Sequence, residues 1–326
     1  MHRRRAVLYA TIPVVVFLLF AEAVARIVLH WYSVHRPGPF TLSPAYSLTI
    51  LNTDSRMVPD PYCGYRIRES GDPRSRRPPR APFPPKAPGE VRVLCLGDSG
   101  TYDILLPEDQ AWPARLQGMM NAWAPAGTRF EVYNAGVPGY APQQVKRLFQ
   151  SRYVDLHPDI VLWREASEIP DGPELPPPRS LVAIRATQGV YRSRLVYGLA
   201  LGYRLAMEGR WSLVNLPPES GAGFSPNVMT QFVRWCRDRG VRAFVAVEPV
   251  SMAEGSTTEV KSFAGDGWSA TDVPVVRCVA AFRDAPGGPA ALFPDGSHFS
   301  AAGAELQARV ISDFLREHWA ELGISP

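Results

Sequence analysis

Two short motifs, far apart in the 326-residue chain, carry the side chains best suited to covalent chemistry. A Gly-Asp-Ser tripeptide ends at Ser99, directly after the apolar run 91–96, and an Asp-Gly-Ser-His tetrapeptide covers residues 295–298. A hydroxyl, an imidazole and a carboxylate are the parts of a nucleophilic acyl-transfer site. These residue types predict Ser99 as the nucleophile, His298 as its base and Asp295 as the group that orients His298.

The position of each residue supports this assignment. The run 91–96 is typical of a buried strand, which places Ser99 on a strand-to-helix turn at the carboxyl edge of a sheet. Asp295 lies three residues before His298, and Gly296 allows the loop to bend so that the carboxylate reaches the imidazole. The other histidines are less suitable, because they flank an N-terminal apolar segment, precede a strand or lie near the last helix end: His2, His30, His35, His157 and His318.

On these motifs the chain resembles the SGNH (GDSL) hydrolase family, from about Val91 to Leu315. The first family block is similar to residues 96–99, the second to residues 134–136 and the fifth to residues 295–303. The resemblance implies a triad of Ser99, His298 and Asp295. It also implies an oxyanion hole formed by the backbone amides of Ser99 and Gly136.

The third family block is different in this chain. The family places an oxyanion-binding Asn directly after the strand that we predict at residues 160–163, and here the sequence 163–168 contains no Asn. Ser167 is the nearest match by spacing and its hydroxyl can donate, whereas a slip of one residue would put the carboxylate of Glu168 there. Loss of one such donor typically costs about 10²- to 10³-fold in turnover, so the departure threatens the efficiency of the reaction more than the chemistry itself. A noncatalytic protein stays open as an alternative.

Composition excludes several other classes of function. A net charge of +4 is too small to indicate nucleic-acid binding. The sequence has neither the Cys and His spacing of a zinc site nor a phosphate-binding Gly-x-x-x-x-Gly-Lys loop. We therefore predict no metal and no cofactor, and the sequence does not identify protein partners.

The N-terminal residues 1–30 read as a transmembrane signal anchor. Arginines occupy positions 3–5, and the following apolar stretch is about one bilayer span long. Because basic residues favour the cytoplasmic side, we predict a cytoplasmic N-terminus and an extracytoplasmic domain, periplasmic or extracellular. Glu22 and Arg26 are four residues apart and can pair near the outer interface. A cleaved signal peptide is the alternative, with small-x-small sites at residues 21–23 and 23–25.

Residues 31–89 form a predicted extracytoplasmic linker that is rich in Pro and Arg between residues 72 and 88. Such a composition favours an extended, semi-rigid spacer, either solvated or in contact with anionic lipid or polymer. Four cysteines allow none, one or two disulfides. Cys95 and Cys278 are expected to be small buried hydrophobes, whereas Cys63 and Cys236 are undecided.

Residues 90–326 read as a hydrolase domain in which strands and helices alternate. The predicted strands cover residues 91–96, 130–133, 160–163, 241–247 and 273–276, with a last helix from 301 to about 318. This alternation predicts an α/β three-layer sandwich with a central parallel sheet, flavodoxin-like in arrangement. An insert at about 171–224 contains apolar residues at helical spacing, and it could form a lid or acyl-binding wall, or pack on the core or the membrane.

These observations predict an extracytoplasmic, membrane-tethered serine esterase. It would act through an acyl-enzyme on O-acyl esters, such as O-acetyl esters, of envelope carbohydrate or lipid. One alternative is an O-acyltransferase, in which a sugar hydroxyl replaces water at the same triad. A second alternative is a noncatalytic glycan-binding or assembly protein.

Overall fold

The computed structural model describes residues 2–35, 57–70, 75–140, 142–164, 178, 180–191, 193, 195–196, 198–199, 203, 226–253, 256, 258–262 and 272–324. The chain divides into two compact units. Unit 1 comprises Met1–Tyr65 and Pro178–Pro218, and unit 2 comprises Arg66–Pro177 and Glu219–Pro326. The residues that carry the predicted chemistry all belong to unit 2.

The helices whose bounds the structure describes are α1 (His2–His35), α2 (Ser99–Tyr102), α3 (Trp112–Trp123), α4 (Pro142–Leu148), α5 (Leu181–Tyr191), α6 (Pro226–Arg237), α7 (Val279–Arg283) and α8 (Ala301–Glu317). The described residues 195–196, 198–199 and 203 are also helical. The strands are β1 (Met57–Asp60), β2 (Gly64–Ile67), β3 (Glu90–Gly97), β4 (Arg129–Asn134), β5 (Ile160–Arg164), β6 (Ala243–Val247), β7 (Val250–Met252), β8 (Val260–Ser262) and β9 (Val275–Val276). Short 3-10 turns cover Glu108–Gln110, Val154–Leu156 and Pro289–Ala291, and a π-helical turn covers Phe149–Tyr153.

A five-stranded sheet with the order β4-β3-β5-β6-β9 forms the centre of unit 2, and all of its pairings are parallel. Strands buried on both faces need apolar residues at successive positions, which is the pattern of residues 93–96 in β3 and 160–163 in β5. Register pairs Gly97 with Arg164 at the carboxyl edge, next to the turn that carries Ser99. The predicted parallel α/β sheet is therefore confirmed.

Helices cover both faces of this sheet. Alternate residues of each strand point to opposite faces, so each strand contributes side chains to the core on both sides. Val93, Leu162 and Val245 belong to a core that includes residues of α3 and α8. On the other face, Trp163 of β5 lies 5.6 Å from Phe232 of α6 between ring centroids. The result is the predicted three-layer arrangement, with the last helix ending at Glu317 rather than about residue 318.

The folded unit begins earlier in the chain than the predicted boundary at residue 90, since unit 2 starts at Arg66. The Arg76 amide donates to Glu108 Oε1 (2.5 Å), and the Arg76 guanidinium donates to Gln117 Oε1 (2.6 Å). The Arg76 carbonyl accepts from the Asn134 amide at 2.6 Å, and Arg77 is buried. The expectation of a solvated spacer is therefore wrong for Arg76 and Arg77, because their polar groups have partners at Glu108, Gln117 and Asn134.

The four cysteines, which all lie in the described part of the chain, are buried thiols rather than disulfides. Cys95 and Cys278 are the small buried residues that the sequence predicts, and Cys63 and Cys236 are similar. Burial raises the pKa of Cys278 to about 12, so its thiol stays protonated at neutral pH.

Helix α1 contains the segment Thr11–Val28, which is long and apolar enough to cross a membrane and has no buried residue. A signal sequence has the same properties, so this observation fits both the predicted anchor and its alternative. The helix extends to His35, beyond the predicted end at residue 30.

Candidate active site

Ser99 is held on a tight turn between β3 and α2. The Asp98 side chain accepts a hydrogen bond from the Gly100 amide at 2.8 Å and so caps the short helix. The Asp98 carbonyl also accepts from the Tyr102 amide at 3.0 Å. Ser99 is the first residue of the helix, and the first amides of a helix have no acceptor within it. This local structure puts both the hydroxyl and the amide of Ser99 at the carboxyl edge of the sheet.

The structure brings together Ser99, His298 and Asp295. Asp295 Oδ2 lies 2.7 Å from His298 Nδ1, and His298 Nε2 lies 2.9 Å from Ser99 Oγ. When Nδ1 carries the proton and donates it to Asp295, the neutral ring presents Nε2 as the acceptor for the Ser99 hydroxyl. The arrangement can therefore transfer a proton from Ser99 to an imidazole that a carboxylate orients.

The loop of Asp295 and His298 holds the carboxylate through backbone contacts. Asp295 Oδ1 accepts from the His298 amide at 2.7 Å and from the Ser297 amide at 3.0 Å. Partial burial works to raise the pKa of Asp295, but these amides and the imidazole outweigh it and keep the pKa below its ordinary value. Gly296 has φ of +85°, a left-handed conformation that this turn requires and that glycine adopts readily. Asp295 is therefore ionised at neutral pH, as an orienting group should be.

Gly136 lies against the nucleophile turn. A Cβ atom on Gly136 would lie 2.4 Å from the Tyr102 nitrogen and 2.7 Å from the Thr101 carbonyl carbon, so only glycine fits. The Gly136 amide donates to Asn134 Oδ1 at 3.0 Å. Its implied role as an oxyanion donor would require this bond to be shared or released, and that role stays a prediction. Ser167 and Glu168 lie outside the described residues.

Arg164 also lies at this edge, although no pattern in the sequence indicates it. It is the last residue of β5, and its side chain is 4% exposed. The guanidinium Nη1 lies 3.9 Å from Asp98 Oδ1, and its carbon lies 5.0 Å from the ring centroid of Phe299, the residue after His298. Among the residues that the structure describes, Arg164 Nε has no hydrogen-bond partner. Arg164 thus connects the nucleophile turn to the loop of the base.

Asp103 is a second buried charged residue close to the nucleophile turn. Its Oδ2 accepts from the Trp112 amide at 2.6 Å, while Oδ1 has no hydrogen bond within the described part of the chain. Burial raises the pKa of Asp103 to about 7, against the opposing effects of the Trp112 amide and of Arg164, Arg77 and Arg115. The short helix that begins at Ser99 is therefore followed directly by a carboxyl group whose pKa is about 7.

We expect wild-type protein to lose thermal stability relative to Asp103→Asn as pH rises from 5 to 8. Between the ordinary pKa of 3.8 and the folded value of about 7, the folded state binds a proton that the unfolded state has released. Stability from this proton is lost as pH rises through about 7, by up to ~1.4 kcal/mol per pH unit. The asparagine side chain of the variant can still accept the hydrogen bond from the Trp112 amide, but it does not ionise. Differential scanning calorimetry at each pH measures the effect, with exposed Asp109→Asn as control, and identical pH dependence in wild type and Asp103→Asn would contradict it.

No family model and no curated protein matches this chain. Solved structures that match include a lipase/acylhydrolase from Enterococcus faecalis, with 16% identity and a TM-score of 0.42 over 70% of this chain and 96% of that one. The acetylxylan esterase Axe2 from Geobacillus stearothermophilus has 17% identity and a TM-score of 0.41, over 72% and 95% of the two chains. A Desulfitobacterium hafniense structure, described as lipolytic and of the G-D-S-L family, has 11% identity and a TM-score of 0.40, over 68% and 98%. The chain is similar to these proteins of the lipolytic and esterase types.

Proposed function

We propose that this chain is an SGNH-like serine ester hydrolase with Ser99, His298 and Asp295 as its catalytic residues. The observation that carries the proposal is the continuous hydrogen-bonded arrangement from Asp295 through His298 to Ser99, at 2.7 and 2.9 Å. These distances are within the range that a general base and its nucleophile need. The site lies at the carboxyl edge of a parallel sheet, where ligands of such folds bind.

The proposed reaction proceeds in two steps. The Ser99 oxygen attacks the ester carbonyl while His298 takes the hydroxyl proton, and the resulting oxyanion is held by backbone amides, for which Ser99 and Gly136 are the candidates. Collapse of the tetrahedral species breaks the bond to the alcohol, which leaves with the proton from His298. Water then attacks the acyl-enzyme while His298 takes a proton from it. Collapse of this second tetrahedral species breaks the bond to Ser99, releases the acid and returns the proton from His298 to the Ser99 oxygen.

We further propose that the enzyme is tethered to the membrane by α1 and acts outside the cytoplasm on O-acyl esters of carbohydrate or lipid. The apolar segment Thr11–Val28 and the arginines at positions 3–5 support this orientation. A substrate in the cell envelope would be within reach of a domain anchored in this way. A reporter that is active only outside the cytoplasm, fused after Pro326, should be active.

Product analysis separates hydrolysis from acyl transfer. We expect purified full-length chain to release acetate and p-nitrophenol from p-nitrophenyl acetate in equal amounts, with or without a soluble oligosaccharide. An acyltransferase would instead yield acetylated oligosaccharide, detected by mass spectrometry, at the expense of acetate. Ser99→Ala serves as the control for both products. Acetylated oligosaccharide as the main product would overturn the assignment as a hydrolase and leave the triad in place.

A further inference from the structure

Glu22, in the apolar helix α1, is bound to the insert of unit 1. Its Oε2 accepts hydrogen bonds from the Ser193 hydroxyl at 2.7 Å and from the Leu195 amide at 2.9 Å. Its Oε1 accepts from Arg26 Nε at 2.9 Å. Both oxygens of the carboxylate are therefore engaged, one by its own helix and the other by the insert.

Ser193 also fixes the start of a helical stretch that we call the insert segment, the described residues between 193 and 203. Ser193 Oγ accepts from the Val196 amide at 3.2 Å, as a helix N-cap does. Leu195, Val196, Leu199 and Tyr203 are helical. Ser193 and Leu195 thereby place the first turn of the insert segment directly beside Glu22.

The insert segment exposes large apolar side chains. Leu199 and Tyr203 are each 65% exposed, and Val196 is 37% exposed. Val196, Leu199 and Tyr203 are spaced by three and by four residues, so they lie along one face of a helix. A set of exposed apolar side chains on one helix face is typical of a surface that binds another apolar phase.

The position of Glu22 along α1 indicates what the exposed apolar side chains of the insert segment contact. Glu22 lies six residues before Val28, the end of the apolar segment Thr11–Val28, which is about 9 Å along the helix at ~1.5 Å per residue. Any group hydrogen-bonded to Glu22 lies at nearly the same depth. Interfacial helices bury their apolar faces by about 5–10 Å at the boundary of headgroups and acyl chains, which agrees with this position.

We propose that the insert segment lies in the outer interface of the membrane that α1 crosses, with Val196, Leu199 and Tyr203 in contact with lipid. This inference rests on the proposed membrane tether. A carboxylate inside a membrane is costly unless it is paired, and the Ser193 hydroxyl, the Leu195 amide and Arg26 supply partners for Glu22. Tyrosine is enriched at membrane interfaces, where its ring and hydroxyl meet apolar and polar surroundings.

Nitroxide labelling tests the proposal on full-length protein in phosphatidylcholine–phosphatidylglycerol vesicles. Labels are placed singly at Leu199→Cys and Tyr203→Cys, with Leu18→Cys in α1 as the membrane control and the exposed Glu317→Cys as the aqueous control. The native cysteines are buried, and unmutated protein measures their background labelling. Power saturation compares accessibility to oxygen, which concentrates in lipid, with accessibility to a water-soluble nickel chelate.

We expect labels at 199 and 203 to resemble the label at 18, with oxygen access high and nickel access at least severalfold lower than at 317. If the labels at 199 and 203 have the same accessibility to oxygen and nickel as the label at 317, while the label at 18 is in lipid, the inference is overturned and the tether stays intact. An aqueous label at 18 would overturn the tether and the inference together. Ester hydrolysis by each variant is an independent measure of unit 2, so a failed esterase assignment would appear separately.

A second variant tests the link through Glu22. Because Glu22→Ala removes the acceptor of both Ser193 and Leu195, nickel access at position 199 should rise at least severalfold over the same label in the parent chain. An unchanged value would contradict the part of the proposal in which Glu22 holds the insert segment at the membrane.

Discussion

Ser99→Ala is expected to lower kcat for p-nitrophenyl acetate by about 10⁴-fold or more, which removes measurable hydrolysis. The variant deletes the oxygen proposed to form the acyl-enzyme, and His298 Nε2, 2.9 Å away, loses the hydroxyl that it would deprotonate. A steady-state assay with burst-phase detection measures the loss. Wild-type turnover in this variant would contradict the assignment of the nucleophile.

The other triad variants provide a pattern that a merely structural serine would not produce. His298→Ala should cost about as much as Ser99→Ala, and the double variant no more, because residues that act as a unit are not additive. Asp295→Ala should cost less, since this carboxylate orients the ring and is 42% exposed. Ser297→Ala is the matched control. The Ser297 hydroxyl lies 3.3 Å from His298 Nδ1, the ring nitrogen that faces Asp295, so the variant should keep most of the activity.

Gly136→Ala should lower kcat by about 10²-fold, because a displacement of the reacting group by about 1 Å has an effect of this size. The new methyl group would collide with backbone atoms of Thr101 and Tyr102, which belong to the same short helix as Ser99. Backbone cannot rotate away as a flexible side chain can, so α2 must move and carry the nucleophile with it. The assay is again p-nitrophenyl acetate hydrolysis, with circular dichroism to verify folding.

Gly118→Ala is the control for this substitution. Gly118 lies in α3, where an added Cβ would meet nothing within 4 Å, and alanine in a helix is more stable than glycine by about 0.5–1 kcal/mol. It should have wild-type kcat and equal or higher thermal stability. If Gly136→Ala also has wild-type kcat, the close approach of its loop to α2 does not position Ser99.

The sheet was predictable because buried parallel strands leave a local trace, namely apolar runs such as 91–96 and 160–163. The pairing of Asp295 with His298 was predictable for a similar reason, since both belong to one four-residue loop. The contact between Ser99 and His298 joins distant parts of the chain, and only the residue chemistry and the family resemblance indicated it.

Features that depend on tertiary packing could not be predicted. Arg164 reads as one polar residue after a strand, and its burial against Asp98 and Phe299 follows only once β5 lies beside β3. Likewise, the Pro and Arg content around Arg76 is typical of a tether. Arg76 nevertheless contacts Glu108 and Gln117, which are distant from it in the sequence and come close to it only in the folded chain.

Fluorophosphonate labelling tests the central claim most directly, because this reagent reacts covalently with a serine that a neighbouring base activates. The full-length chain is treated with an alkyl fluorophosphonate and digested, and the adduct is located by tandem mass spectrometry. We expect one phosphonyl adduct on Ser99, absent in Ser99→Ala, strongly reduced in His298→Ala and retained in Ser297→Ala. An unlabelled wild-type protein, or an adduct on another serine that persists in Ser99→Ala, would contradict the account.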